Sequence, residues 1–140
     1  MTYVDTPVYV DKPVSRIEHH LPIYHVSSVQ AASFTNTTYG APKKHVRFHF
    51  NPGNLDRVKA IYFEALLGVT PPNTAYAKLR NATDGVDVVE VSSPSATPTK
   101  RRSEDIKDLL PPEERQYEAD WRVDGGTGEI YQARLVVVQG

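Results

Sequence analysis

Five histidines have the most obvious claim to chemistry in this 140-residue chain. Three fall in the run His19-His20-Leu21-Pro22-Ile23-Tyr24-His25, and His45 and His49 stand in KHVRFHF, Lys44–Phe50. A zinc centre needs three or four such ligands converging on one ion. Four residues along an extended strand span roughly 13 Å, so His45 and His49 cannot share an ion without a partner element. The histidines therefore read as structural or surface groups whose titration near neutral pH can modulate an interface. Glu64, Asp84, Glu90, Glu118, Asp120 and Glu129 fall on polar faces or turns, and no spacing marks an acid/base couple among them. Lys43-Lys44 and Lys100-Arg101-Arg102 are short basic clusters, the second followed by Glu104 and Asp105, which fits a salt-bridging loop better than a phosphate site. Asp124-Gly125-Gly126-Thr127-Gly128 has the glycines of a phosphate loop, but no Lys-Ser/Thr follows and no helix begins, so it reads as a hairpin turn. Asn36-Thr37-Thr38 and Asn81-Ala82-Thr83 match the glycosylation triplet, which means little without a secretion signal. Tyr76 and Trp121 could form a platform on which pyranose rings stack, although alternating strand aromatics fit core or interface packing better.

Composition narrows the classes further. Cysteine is absent, which removes disulfides, thiolate metal sites and Cys nucleophiles. Sixteen basic against seventeen acidic residues provide no field to draw nucleic acid or an anionic membrane. The start, MTYVDTPVYV, has neither a basic nor a continuous apolar region, and no window approaches the ~18 apolar residues of a membrane helix. The expectation is a protein made in the cytoplasm, without cofactor, metal or catalytic residues, and not an enzyme.

The elements that must position these residues read as strands. Glu129–Gln139, EIYQARLVVVQ, is rich in β-branched residues and carries Val136, Val137 and Val138 in a row, as a central strand covered on both faces requires. Before it, Val46, Phe48 and Phe50 alternate with His45, Arg47 and His49. Arg57–Leu67 places Ile61, Phe63, Ala65 and Leu67 on one side, with a short helix over FEALL as the competing reading. Thr74–Ala82 and Val86–Val91 flank Thr83-Asp84-Gly85, a strong hairpin signal. Glu104–Leu110 has the look of a helical turn capped by Ser103. Tyr117, Ala119, Trp121 and Val123 share a further strand face. Six or seven strands from Lys44 onward, with no long helical pattern, predict an all-β fold: an antiparallel β-sandwich or jelly roll over residues 34–140. Residues 1–33 differ. Val4, Val8, Val10, Val14, Ile17, Leu21 and Ile23 are spread irregularly among Pro7, Pro13 and Pro22, which forbid a helix and withhold the donors of a central strand. This stretch reads as an extended N-terminal arm whose seven apolar side chains would be covered by a partner.

The series YFEALL, TAYAKLRNATDG, VEVSSPSATPTKRRSEDI and YEADWRVDGGTGEIYQARLVVVQ, spanning roughly Val58 to Gln139, resembles a bacterial and phage jelly-roll domain of tumour-necrosis-factor-like or carbohydrate-module-like type. With its arm and length, the chain resembles the capsid decoration proteins of tailed phages, some of them from thermophiles. That resemblance implies a non-enzymatic homotrimer on the virion exterior, with the arm gripping the major capsid protein and stabilising the shell. A carbohydrate- or cell-surface-binding sandwich is the alternative. An enzyme of cupin type would carry His-x-His followed by Glu, and the chain has no His-x-His.

Overall fold

The computed structural model describes residues 17–25, 32–39 and 45–140. Nine strands are described: β1 (Ile17–His25), β2 (Ala32–Phe34), β3 (His45–Phe50), β4 (Val58–Val69), β5 (Ala75–Asn81), β6 (Val86–Ser93), β7 (Thr99–Arg102), β8 (Arg115–Val123) and β9 (Gly128–Gln139). They form two antiparallel sheets packed face to face, the first in the order β1-β9-β4-β7 with β2 also on β9, the second in the order β3-β8-β5-β6. This is the all-β sandwich the strand patterns predict.

β9 is central, as its sequence requires. It pairs with β4 from Val58↔Gln139 to Val69↔Gly128 on one side, and with β1 and β2 on the other. Val136, Val137 and Val138 are all buried, so both faces at this end are covered. β4 presents Ile61, Phe63, Ala65, Leu67 and Val69 to the core, and FEALL continues the strand, not a helix. The second sheet answers with Ala75, Ala77 and Leu79 from β5 and Tyr117, Ala119, Trp121 and Val123 from β8. At ~25 cal/mol per Å² of apolar surface, this interleaved layer dominates the stability of the fold.

Among the described strands, only β5 and β6 form a hairpin between consecutive strands. There Asn81 Oδ1 accepts from the Asp84 N–H at 3.0 Å, and Gly85 adopts a φ of 71° that favours glycine. Asp124–Thr127 is not a hairpin turn: it carries the chain from β8 in one sheet to β9 in the other. Turn chemistry reveals that the chain reverses, but not which sheet receives it. β7, at the basic run expected as a loop, is a short edge strand on β4. The helical turn expected after Ser103 is shorter, Lys107–Leu109, and Ser103 does not cap it; its Oγ accepts from the Phe63 N–H at 2.9 Å. Asp105 Oδ1 takes the Ile61 and Lys107 N–H groups, tying this link to the edge of β4 that β7 does not reach.

The end of the expected arm lies within the first sheet. β1 runs along β9 from Ile17↔Gln139 to His25↔Gln132, with its register shift between Pro22 and Tyr24. Proline is tolerated there because β1 is an edge strand with a bulge. Ile17 and Leu21 are 56% and 36% exposed, whereas Ile23 packs partly buried against the core. Val4, Val8, Val10 and Val14 lie outside the described residues.

Candidate functional site

The outward face of the second sheet collects side chains from three strands in register. Across β6, β5 and β8, one row runs Ser92, Tyr76, Arg122 and the next runs Glu90, Lys78, Asp120, while the third carries Asp87, Arg80 and Glu118. β3 extends the third row with Arg47 opposite Glu118. Strand alternation places these residues outside because their neighbours Ala75, Ala77, Leu79, Trp121 and Val123 fill the core.

Tyr39 stands over this grid, held there by the segment that follows β2. Asn36 Nδ2 donates to the Trp121 carbonyl at 2.7 Å, and the Asn36 carbonyl accepts from the Val123 N–H at 2.9 Å. These bonds continue the edge of β8 past the end of β3. The Tyr39 hydroxyl then donates to Glu90 at 2.5 Å. Lys78 Nζ lies 4.2 Å from its ring centroid, and the Arg122 guanidinium carbon 5.2 Å away. The same guanidinium carbon lies 3.9 Å over the Tyr76 ring, directly across the strand pair. Burial, reinforced by the Glu90 carboxylate, pushes the Tyr39 hydroxyl well above the ordinary phenol value, so it remains a protonated donor. Salt links brace the rest of the face: Arg47 to Glu118 at 2.7 Å, and Arg80 and Lys78 to Asp87 at 3.0 and 3.2 Å. Burial raises the Asp87 carboxyl, but the two cations outweigh it and hold the group below its usual range.

The two aromatics considered as a sugar platform separate. Tyr76 faces outward, while Trp121 is 5% exposed and packs between the sheets against Tyr24 and Phe34 at 5.0 and 6.5 Å between ring centroids. Tyr39 and Arg122 are functional candidates that the sequence did not mark. The phase of Arg122 was legible from alternation, but Tyr39 lies in a small-residue link with no periodicity.

The histidines do not converge. His19 borders an apolar pocket of about 210 Å³ with Leu21, Leu55 and Val137, while His20 Nε2 lies 3.2 Å from Glu18. His49 is exposed on β3, and the side chains of His25 and His45 lie outside the described residues. Among the described residues, no three His, Asp or Glu side chains group to hold a metal ion. A groove of about 300 Å³ at the end of the sandwich is lined by Thr70, Pro71, Ala96, Thr127 and Glu129. Nearby, Asp124 Oδ1 accepts from the Thr74 N–H, so that carboxylate already serves the loop. Of the expected basic clusters, Arg102 joins a network on the first sheet and Lys43-Lys44 lie outside the described residues.

No family model matches the chain, and no curated protein matches it in sequence. Solved structures do share its fold. The CBM36-1 domain of a multidomain xylanase from the hindgut metagenome of Trinervitermes trinervoides matches 89% of this chain and 98% of its own, at 12% identity and a TM-score of 0.53. A carbohydrate-binding module CBM36 in complex with calcium and xylotriose matches 90% of this chain and 100% of its own, at 11% identity and a TM-score of 0.51. The C-terminal family 22 carbohydrate binding module of Clostridium thermocellum Xyn10B matches 87% of this chain and 82% of its own, at 11% identity and a TM-score of 0.50.

At these identities the likeness establishes the fold: a sandwich of the kind carbohydrate-binding modules use. It overturns the capsid-decoration role. That role, with its major capsid protein partner, homotrimer and virion exterior, rested on strand and turn motifs, and the fold those strands build is shared with carbohydrate-binding modules. Sandwich motifs specify packing, so they occur in proteins of unrelated function and never distinguished a capsid protein from a sugar-binding one. The calcium of the second neighbour has no matching acidic cluster among the described residues.

Proposed function

We propose that the chain is a non-catalytic carbohydrate-binding module that takes a glycan on the outward face of the second sheet. The observation that carries this reading is the joining of Tyr39 and Tyr76 through Arg122 on a face otherwise made of paired charges. An aromatic ring accepts the C–H face of a pyranose, and guanidinium, carboxylate and phenol groups beside it match the sugar's hydroxyls. Lys78 and Arg122 hold the rings in place before a ligand arrives, which reduces the ordering cost of binding. The likeness in fold to three carbohydrate-binding modules supports the same class. The carboxylates of this face have structural occupations: Asp87 and Glu118 hold cations, and Glu90 accepts from Tyr39. A binding role suits them better than acid/base catalysis.

Affinity electrophoresis against a panel of soluble polysaccharides, xylan among them, tests this. At least one polysaccharide should retard the protein, and Tyr76→Ala should weaken binding about tenfold, the loss of one stacked ring. No retardation by any member of the panel refutes the reading. Retention of full affinity in Tyr76→Ala, together with its loss in Thr127→Ala, would move the site to the groove at the end of the sandwich.

A further inference from the structure

The geometry points to an acidic glycan, one bearing uronic acid carboxylates, with Arg122 as the group that receives the carboxylate. This rests on the outward face of the second sheet being the sugar site. Each of the other cations in these rows has an acidic partner: Arg47 has Glu118, and Arg80 and Lys78 share Asp87. Arg122 makes no ion pair among the described residues. It is held instead by aromatic rings, with its guanidinium carbon 3.9 Å from the Tyr76 centroid and 5.2 Å from that of Tyr39. The guanidinium also reaches the Tyr39 hydroxyl with an N–H, but it has five N–H donors and keeps others in its plane, where their fork matches a planar carboxylate through two parallel bonds.

The surrounding acidic groups leave that role open. Glu90 is occupied by the Tyr39 hydroxyl, Asp87 by two cations and Glu118 by Arg47. Asp120, the acidic residue next to Arg122 on β8, is buried and stands one row away, opposite Lys78. A neutral sugar would use the rings and leave the charge of Arg122 unanswered. A uronate would use both, with the ring of the sugar beside a tyrosine and its carboxylate in the arginine fork.

Calorimetric titration of the full chain with trigalacturonic acid and with xylotriose, at low and at high salt, separates the possibilities. Trigalacturonic acid should bind at least about tenfold more tightly at low salt, and the preference should shrink as salt screens the pair. Arg122→Lys keeps the charge and removes the fork, so it should lower the preference about tenfold, with the melting temperature as the control for folding. Equal or tighter binding of xylotriose, or an unchanged preference in Arg122→Lys, overturns the acidic ligand. If xylotriose binds in a manner sensitive to Tyr76→Ala without any acidic preference, the sugar site stands and only its specificity falls. If neither sugar binds, and the polysaccharide panel fails as well, both fall together.

Discussion

Replacing Glu64 with glutamine should destabilise the protein by about 3 kcal/mol. Glu64 is 2% exposed on the outer side of β4, an unusual place for a carboxylate. Arg102 Nε donates to its Oε2 and Arg134 Nε to its Oε1, each at 2.7 Å, and Arg102 reaches on to Glu18 at 3.5 Å. A hydrogen bond to a charged group is worth about 1.5–3 kcal/mol net. Arg102 is about one-third exposed, so its share belongs at the low end, while the better-covered Arg134 belongs higher. Glutamine keeps the shape but turns an N–H₂ toward donors and leaves two arginines short of an anion, and breaking a buried pair from one side costs several kcal/mol. Urea unfolding monitored by Trp121 fluorescence measures the difference. Acid provides a second check. Burial raises the Glu64 carboxyl, but the two arginines outweigh it and hold the group below its ordinary value of 4.5. A depressed folded-state value means that the stabilisation is complete above about pH 4.5 and is lost as the pH falls through the folded value. The gap between wild type and Glu64→Gln should therefore close in acid. A loss below about 1 kcal/mol at neutral pH, or a gap independent of pH, would refute the charge argument.

Two further substitutions probe the core. Trp121→Ala should cost about 3–5 kcal/mol in urea unfolding followed by far-UV circular dichroism, because the ring is buried between sheets beside Tyr24 and Phe34; a loss below about 1 kcal/mol would contradict that placement. Gly128→Ala should cost about 1–3 kcal/mol, since the added Cβ would meet the Phe34 ring at 2.5 Å; a melting temperature equal to wild type would show that β2 yields without cost.

The strands legible in the sequence were those that bury an apolar face. β4, β5 and β8 alternate because one side meets the opposing sheet, and β9 does not alternate at its end because both sides are covered. β7 was illegible for the opposite reason. Thr99–Arg102 buries no side chain, so its strand character comes from backbone bonds to β4 and leaves no apolar pattern. β1 was obscured by Pro22, which reads as a strand breaker until the strand is known to be an edge.

The site was half legible, and the division follows the range of the interactions. Trp121 and Arg122 are adjacent, so alternation alone sends one inward and the other outward, and the burial of Tyr117, Ala119 and Val123 decides which. That Arg122 then meets Tyr76 depends on the β5–β8 register, which joins segments far apart in sequence and is set by the whole sandwich. Tyr39 is further still from local rules. It arrives over Lys78 and Arg122 because Asn36 completes the free edge of β8, a bond pattern with no periodicity to announce it. Function follows the same division. A jelly-roll pattern is satisfied by any sequence that packs two sheets, whereas two tyrosines around an arginine without an acidic partner among the described residues require a particular register and a particular strap. The sandwich motifs therefore could not separate a capsid role from a sugar-binding one, and it is the likeness in fold to carbohydrate-binding modules that overturns the first.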